Sequence, residues 1–302
     1  MSLNQAETIP SDALSQRAGS KDLLTDILTI VKSEAFIFGA LLLGVLYLCF
    51  KPLFAKFPEE WFGPETYYNH GPLVPLMAGY MVYDRWPKLK TIPVKPFYFA
   101  IVPLGLLLYA NYVALSAPRQ LFLSVIFVVT LSLCTLFVAG WKWTTALLAP
   151  TFFLLLGLPI WETVIDVYTQ PMQNISTDMS FSMLHGLGFN AIRFDDTTIA
   201  LDHFTMFIGV PCSGLRMILA MVALVAFCIF IGKMRWWANT ILAVMAIPIC
   251  IFVNSFRIAL IGIVGEMYGS DAGQKFHDTS GYISILLLVL ILWRLTKALG
   301  IK

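Results

Sequence analysis

One of the five cysteines in this 302-residue chain stands apart from the others. Cys49, Cys134, Cys228 and Cys250 lie inside apolar runs, where a thiol behaves as a small hydrophobe. Cys212 instead occupies the segment Pro211-Cys212-Ser213-Gly214-Leu215-Arg216, a polar, glycine-containing junction ahead of an apolar run. Proline, serine and glycine suit a tight entry into a helix, so Cys212 is expected near a helix N-terminus. Helix N-termini carry partial positive charge and free N–H groups, which favour a thiolate and can hold an oxyanion. The odd cysteine count and the apolar settings of the other four imply no disulfide framework.

Two further residues complement a thiol. Arg257 follows Asn254, Ser255 and Phe256 late in a long apolar stretch that begins at Trp237. At 1.5 Å per residue it lies about 30 Å from the start of that stretch, at the far boundary of a bilayer. An arginine embedded in an apolar helix is costly and usually faces a cavity or a partner. Asn254, one turn earlier, shares its face. His277, in Gln274-Lys275-Phe276-His277-Asp278, precedes the last apolar run, and histidine is the common general base near neutral pH. Taken singly, each has a plain structural reading as an inert cysteine, an unspecialised loop histidine or an arginine snorkelling to the interface, the reading given to Arg216 and Lys275. Together, Cys212, Arg257 and His277 fall at one membrane depth, where they can form a thiol nucleophile, its cation and its base. His70, His185, His203 and His277 show no close ligand pairing, so neither a metal nor an organic cofactor is expected.

The elements that must position these residues are membrane helices. The chain is 58% hydrophobic and 13% charged, against roughly 25% charged in soluble domains. Its mean hydropathy of +0.78 argues for many spans rather than one anchor. A net charge of +2, scattered between apolar blocks, suggests no nucleic-acid surface. The pattern predicts an all-α polytopic membrane protein with about eight transmembrane helices, over residues 35–54, 70–86, 97–116, 119–139, 143–163, 214–232, 237–266 and 280–298. Residues 1–33 read as a cytoplasmic N-terminal segment without a removable signal peptide, and 34–302 as one transmembrane domain.

Positive charge is retained in the cytoplasm, and Lys21, Lys32, Arg85, Lys88, Lys90, Lys95, Lys142, Lys233, Arg235, Arg294, Lys297 and Lys302 all fall on one side of this pattern. Both termini are therefore expected inside, with loops 55–69, 164–213 and 267–279 outside. In the longest of these, Ala191-Ile192-Arg193-Phe194 and Thr198-Ile199-Ala200-Leu201 flank Asp195-Asp196, predicting a small extracytoplasmic β-hairpin-like insertion before the sixth span.

These motifs, in this order, resemble those of the exosortase/archaeosortase family of membrane-embedded cysteine transpeptidases. Pro211 to Arg216 is similar to the family's cysteine motif, Asn254 to Arg257 to its asparagine–arginine motif, and His277 with Gly281 to its histidine segment. Tyr68-Asn69-His70-Gly71-Pro72-Leu73-Val74-Pro75 resembles an early signature, and the likeness covers about residues 65–298. The resemblance implies Cys212 as nucleophile, His277 as general acid/base and Arg257 as stabilising cation. Ser213, Gly214, Arg216 and Asn254 would be supporting residues, with His70 a further candidate. It also implies a task, the processing of exported surface proteins that carry a C-terminal recognition motif, a transmembrane helix and a basic tail. A thioester acyl-enzyme would be passed to an acceptor. Bacterial members are associated with Pro-Glu-Pro-type sorting signals and exopolysaccharide loci and archaeal ones with lipid attachment, so the resemblance implies the plasma (inner) membrane of a prokaryote.

Two other functions use the same residues. An intramembrane protease would resolve the thioester with water alone. A small-molecule transporter would use Arg257 and His277 as a substrate or proton site, but transporters usually carry internal repeats and midplane sites, and no repeat is visible here.

Overall fold

The computed structural model describes residues 34–63, 66–116, 119–232 and 234–300. The 1–33 segment and the orienting residues Lys21, Lys32, Lys233 and Lys302 lie outside the described residues. The chain divides into two compact units, up to Phe54 and from Ala55 onward. In the first, helix α1 (Glu34–Cys49) is followed by the short α2 (Lys51–Phe54), with the Tyr47 and Phe54 rings stacked at 5.6 Å.

The second unit is mostly helical. Its helices are α3 (Phe57–Phe62), α4 (Leu73–Leu89), α5 (Ile101–Ala114), α6 (Gln120–Ala139), α7 (Trp141–Phe153), α8 (Glu162–Gly186), α9 (Leu215–Ile231), α10 (Trp236–Tyr268) and α11 (Ser270–Ala298). Among the described residues four helices are long and apolar enough to cross a membrane: Gln120–Ala139, Val210–Ile231, Trp236–Tyr268 and Ser270–Ala298. The number rises to six if each of two bent helix pairs counts as one span. The protein is thus a multi-pass membrane protein with four to six candidate spans by length, against the eight expected. The difference lies in short helices: α4 has 17 residues, α5 has 14 and α7 has 13. The chain breaks after α7 because Leu158 precedes Pro159, whose ring forces the preceding residue out of the helical region. Leu158 accordingly has φ −102° and ψ 153°, and the helices on either side meet at 55°.

The segment 164–213 is not the mainly irregular loop with a hairpin that its composition predicts. Its first half is α8, a 25-residue helix. The buried residues of α8, namely Ile165, Met172, Gln173, Ser176, Thr177, Ser180 and Leu184, recur at helical spacing, but most are polar, so hydrophobic periodicity does not reveal them. The second half holds three strands, β1 (Ile192–Arg193), β2 (Thr198–Ala200) and β3 (Thr205–Phe207), antiparallel in the order β1-β2-β3. The two stretches around Asp195-Asp196 pair as β1 and β2, and β3 completes the sheet with Ile199 opposite Met206. Arg193 ties the β1–β2 turn to α8 through Asp178. On the inner face Ile199, Met206 and Ile208 pack with Leu184 of α8, Ile258 and Ala259 of α10, and Cys212.

Helix α10 runs for 33 residues, about 50 Å, well beyond the roughly 30 Å hydrocarbon thickness of a bilayer. It turns at Gly269 directly into α11, which packs back along it. The β2–β3 loop clasps this turn. A Cβ at Gly265 would overlap the Phe204 ring, and His203 donates its backbone N–H to Glu266 at 2.9 Å while its Nδ1 lies 2.7 Å from the same carboxylate.

Candidate active site

The chain between the sheet and α9 makes a single 3₁₀ turn, Val210–Cys212, with the Cys212 N–H donating to the Gly209 carbonyl at 2.9 Å. Cys212 therefore sits just ahead of the N-terminus of α9, and Gly214 is the residue that caps that helix. Gly214 has φ +78°, in the left-handed region, and a Cβ there would lie 3.0 Å from the Asn254 amide. Glycine thus serves two ends here, since it turns the chain into α9 and lets Asn254 approach. Asn254, fully buried in α10, donates from Nδ2 to the Cys212 carbonyl at 2.7 Å and to Ser176 Oγ at 3.0 Å. Ser213 is buried, and its Oγ lies 3.4 Å from the Leu215 amide.

His277 does not sit in a loop. It lies in the second turn of α11, a helix that begins at Ser270 rather than near 280. The reason is local: Gly269, at φ +89°, both ends α10 and opens α11, so no loop separates them. This hairpin turns the histidine back toward the cysteine, and Cys212 Sγ lies 3.2 Å from His277 Nε2. On the other ring nitrogen, Nδ1 is 3.3 Å from Asp278 Oδ1. A thiol in contact with an imidazole whose far side meets a carboxylate has the geometry of a nucleophile, its base and an orienting group.

Arg257 comes from α10, three residues after Asn254. Its Nε donates to Ser280 Oγ at 2.9 Å and an Nη to the His277 carbonyl at 3.2 Å, while Ser280 donates to that same carbonyl at 3.0 Å. The guanidinium is thereby tied to the turn of α11 that carries the histidine, and it lies within electrostatic reach of Cys212. A cavity of about 660 Å³ opens beside these groups, walled by Pro211 and Gly214 on either side of the cysteine turn and by Arg216, Arg257, His277 and Asp278. Cys212 itself is 7% exposed, set just behind this wall. The first-turn amides of α9 have no intrahelical partners by position, and Gly214, Arg216 and Met217 all border the cavity. The Arg216 side chain is half-buried, with its Nε out of reach of solvent.

The structure therefore brings Cys212, Ser213, Gly214, Arg216, Asn254, Arg257 and His277 to one place. His70 is placed differently. Its Nε2 lies 3.0 Å from the Leu156 carbonyl, and it is 9% exposed, beside the break that follows α7. Trp61 donates to the Gly157 carbonyl at 3.0 Å and the Tyr68 hydroxyl accepts from the Trp161 amide at 2.9 Å, so the early signature fastens that break. Sequence reasoning missed Ser176, Ser280 and Asp278. Ser280 could have been found as the residue one turn after His277, and Ser176 through the helical spacing of Gln173, Ser176, Thr177 and Ser180. Among the described residues no three His, Cys, Asp or Glu side chains converge as metal ligands.

The profile of the transmembrane exosortase (EpsH) family matches residues 61–294. That range contains every residue of the site. No curated protein and no solved structure matches the chain.

Proposed function

Since the chain belongs to the transmembrane exosortase family, we propose that it is a cysteine transpeptidase that cleaves the C-terminal sorting signal of exported proteins and passes them to an acceptor. The observation that carries this reading is the 3.2 Å contact of Cys212 Sγ with His277 Nε2 beside a cavity that also exposes Arg257.

The chemistry follows from that arrangement. His277 takes the thiol proton, and the Cys212 sulfur attacks the carbonyl carbon of the scissile peptide bond. The oxygen of the tetrahedral intermediate gathers negative charge, which Arg257 and the first-turn amides of α9 stabilise. The C–N bond then breaks, the leaving amine takes the proton from His277 Nε2, and a thioester joins the substrate to Cys212. A second nucleophile enters the cavity, loses its proton to His277 and displaces the sulfur. With an acceptor molecule the outcome is transfer, and with water it is hydrolysis.

The proposal includes eight spans, in which the four long helices are joined by the segments 34–62, 73–89, 98–114 and 141–157, while α8 and the sheet stay outside the bilayer. Both termini then face the cytoplasm and the site faces outward. A substrate helix beside the bundle presents its outer end at the depth of Cys212 while its basic tail stays inside. The membrane is the inner membrane of a prokaryote. Residues 1–33 precede this domain as a cytoplasmic segment.

Mass spectrometry of substrate C-termini in the host tests the reading, with Cys212→Ala, Arg257→Ala and His277→Ala compared at matched expression. Loss of cleavage in all three, with a C-terminal adduct in the wild type, is the expected result. Normal processing in Cys212→Ala removes the mechanism, and a free carboxylate in the wild type converts it to hydrolysis.

A further inference from the structure

The chain from Ile208 to Cys212 is held at its first end by α8 directly and at its second by Asn254 of α10, which α8 bonds in turn, and none of the α8 residues involved belongs to the nucleophile–base pair. At the first end, Gln173 Nε2 donates to the Ile208 carbonyl at 2.9 Å. At the second, Ser176 Oγ accepts from Asn254 Nδ2 at 3.0 Å, and the same amide nitrogen donates to the Cys212 carbonyl at 2.7 Å. Gln173 is 4% exposed, and Ser176 and Asn254 are fully buried. One turn further along α8, the Ser180 hydroxyl lies 2.9 Å from the Ser255 carbonyl and 2.6 Å from the Ser176 carbonyl of its own helix, so α8 also meets the residue next to Asn254. Residues 173, 176 and 180 share one face of a helix, so these contacts form one row.

From this row we infer that Gln173 and Ser176 are positioning residues for the nucleophile, setting the place of Cys212 relative to His277. The inference rests on the reading of Cys212 and His277 as a reacting pair. Asn254 has one amino group and divides it between Ser176 and the Cys212 carbonyl, while its Oδ1 has no hydrogen-bond partner. The amide cannot be reversed, because its oxygen would then face a carbonyl oxygen. Ser176 is the acceptor that completes this orientation. Without it the amide is held by the Cys212 carbonyl alone, so its plane is no longer fixed and the hold on the cysteine turn loosens. The sulfur and the imidazole nitrogen are 3.2 Å apart, so a displacement of about 1 Å ends their contact.

A structural role in α8 packing and a positioning role predict different results in one experiment. The purified full chain, reconstituted in nanodiscs, is treated with iodoacetamide at pH 7, and the rate of Cys212 modification is followed by peptide mass spectrometry, which separates it from the other four cysteines. His277→Ala should slow modification at least tenfold. Ser176→Ala should slow it by a similar factor, and Ser176→Thr, which keeps the acceptor oxygen, should restore it. Gln173→Met should give a smaller loss, and Ser182→Ala, on the exposed face of the same helix, no change.

The decisive arm is the double variant. If Ser176 acts by holding Cys212 on His277, Ser176→Ala costs nothing further in the His277→Ala background. Additive losses, or a wild-type rate in both Ser176→Ala and Gln173→Met, overturn the inference. A wild-type rate in His277→Ala instead overturns the catalytic pair itself, so the two failures are distinguishable. Should Ser176→Ala fail to fold, Gln173→Met combined with His277→Ala carries the same test.

Discussion

The two halves of the larger unit differ in whether their polar side chains bond across elements. Along α6 and α7, Ser132, Thr135, Thr144 and Thr145 each donate to a carbonyl three or four residues earlier in their own helix. These bonds satisfy the hydroxyl without constraining a neighbouring element. Around the site Thr177 and Ser180 also meet carbonyls of their own helix, but other contacts cross elements: Gln173 of α8 to the Ile208 carbonyl, Ser176 to Asn254 of α10, Ser180 to the Ser255 carbonyl and Arg257 of α10 to Ser280 of α11. Apolar packing alone holds helices together in a bilayer but tolerates sliding, whereas a hydrogen bond across elements fixes register. The first half supplies spans, and the second supplies a geometry.

That contrast can be broken most severely at the sulfur. Cys212→Ala is expected to lower substrate cleavage by at least about 10³-fold, read as unprocessed substrate at matched enzyme level. Next comes Arg257→Lys, which keeps the charge but cannot place an Nε on Ser280 and an Nη on the His277 carbonyl at once. A loss of about 10²-fold is expected, and near-wild-type cleavage would show that charge alone suffices.

The same difference should appear in stability. Gly265→Ala pushes a methyl group into the Phe204 ring and should cost about 1–3 kcal/mol in thermal unfolding in detergent. Gly105→Ala on α5 meets nothing within 4 Å and should stay within about 0.5 kcal/mol or gain slightly. Equal effects at the two sites would remove the distinction between the halves.

The smallest effect concerns the clasp at the α10–α11 turn. The Glu266 carboxylate, by hydrogen bond and by charge, holds the His203 imidazole above its ordinary value of 6.5, while the ring itself stays in water. The sign follows from the raised value: the contribution is complete below about pH 6.5 and is lost as pH rises through the folded value. Amide exchange at 203–204 should therefore quicken as pH climbs from about 6 to 8, beyond the intrinsic base catalysis seen in Glu266→Gln. The effect should be modest, because an exposed pair is screened.

Much of this was legible in the chain. A composition of 58% hydrophobic and 13% charged residues determines that the bilayer is the solvent, because such a surface cannot be wetted. The types and spacing of Cys212, Asn254, Arg257 and His277 mark a candidate site, because polar groups in or beside apolar helices are costly to bury and usually face a partner. What the tertiary structure alone decided is the direction in which those groups point. Hydropathy reads a run of residues against its solvent, so it could not show that the helical path breaks at Leu158-Pro159 or that the Gln173, Ser176, Thr177 and Ser180 stripe of α8 is a buried face. Nor could spacing place His277 on a helix that folds straight back from α10, bringing its Nε2 within 3.2 Å of a sulfur 65 residues away. Hydrogen bonds between distant elements depend on backbone paths that many sequences of the same pattern could take, and only the packed chain selects one.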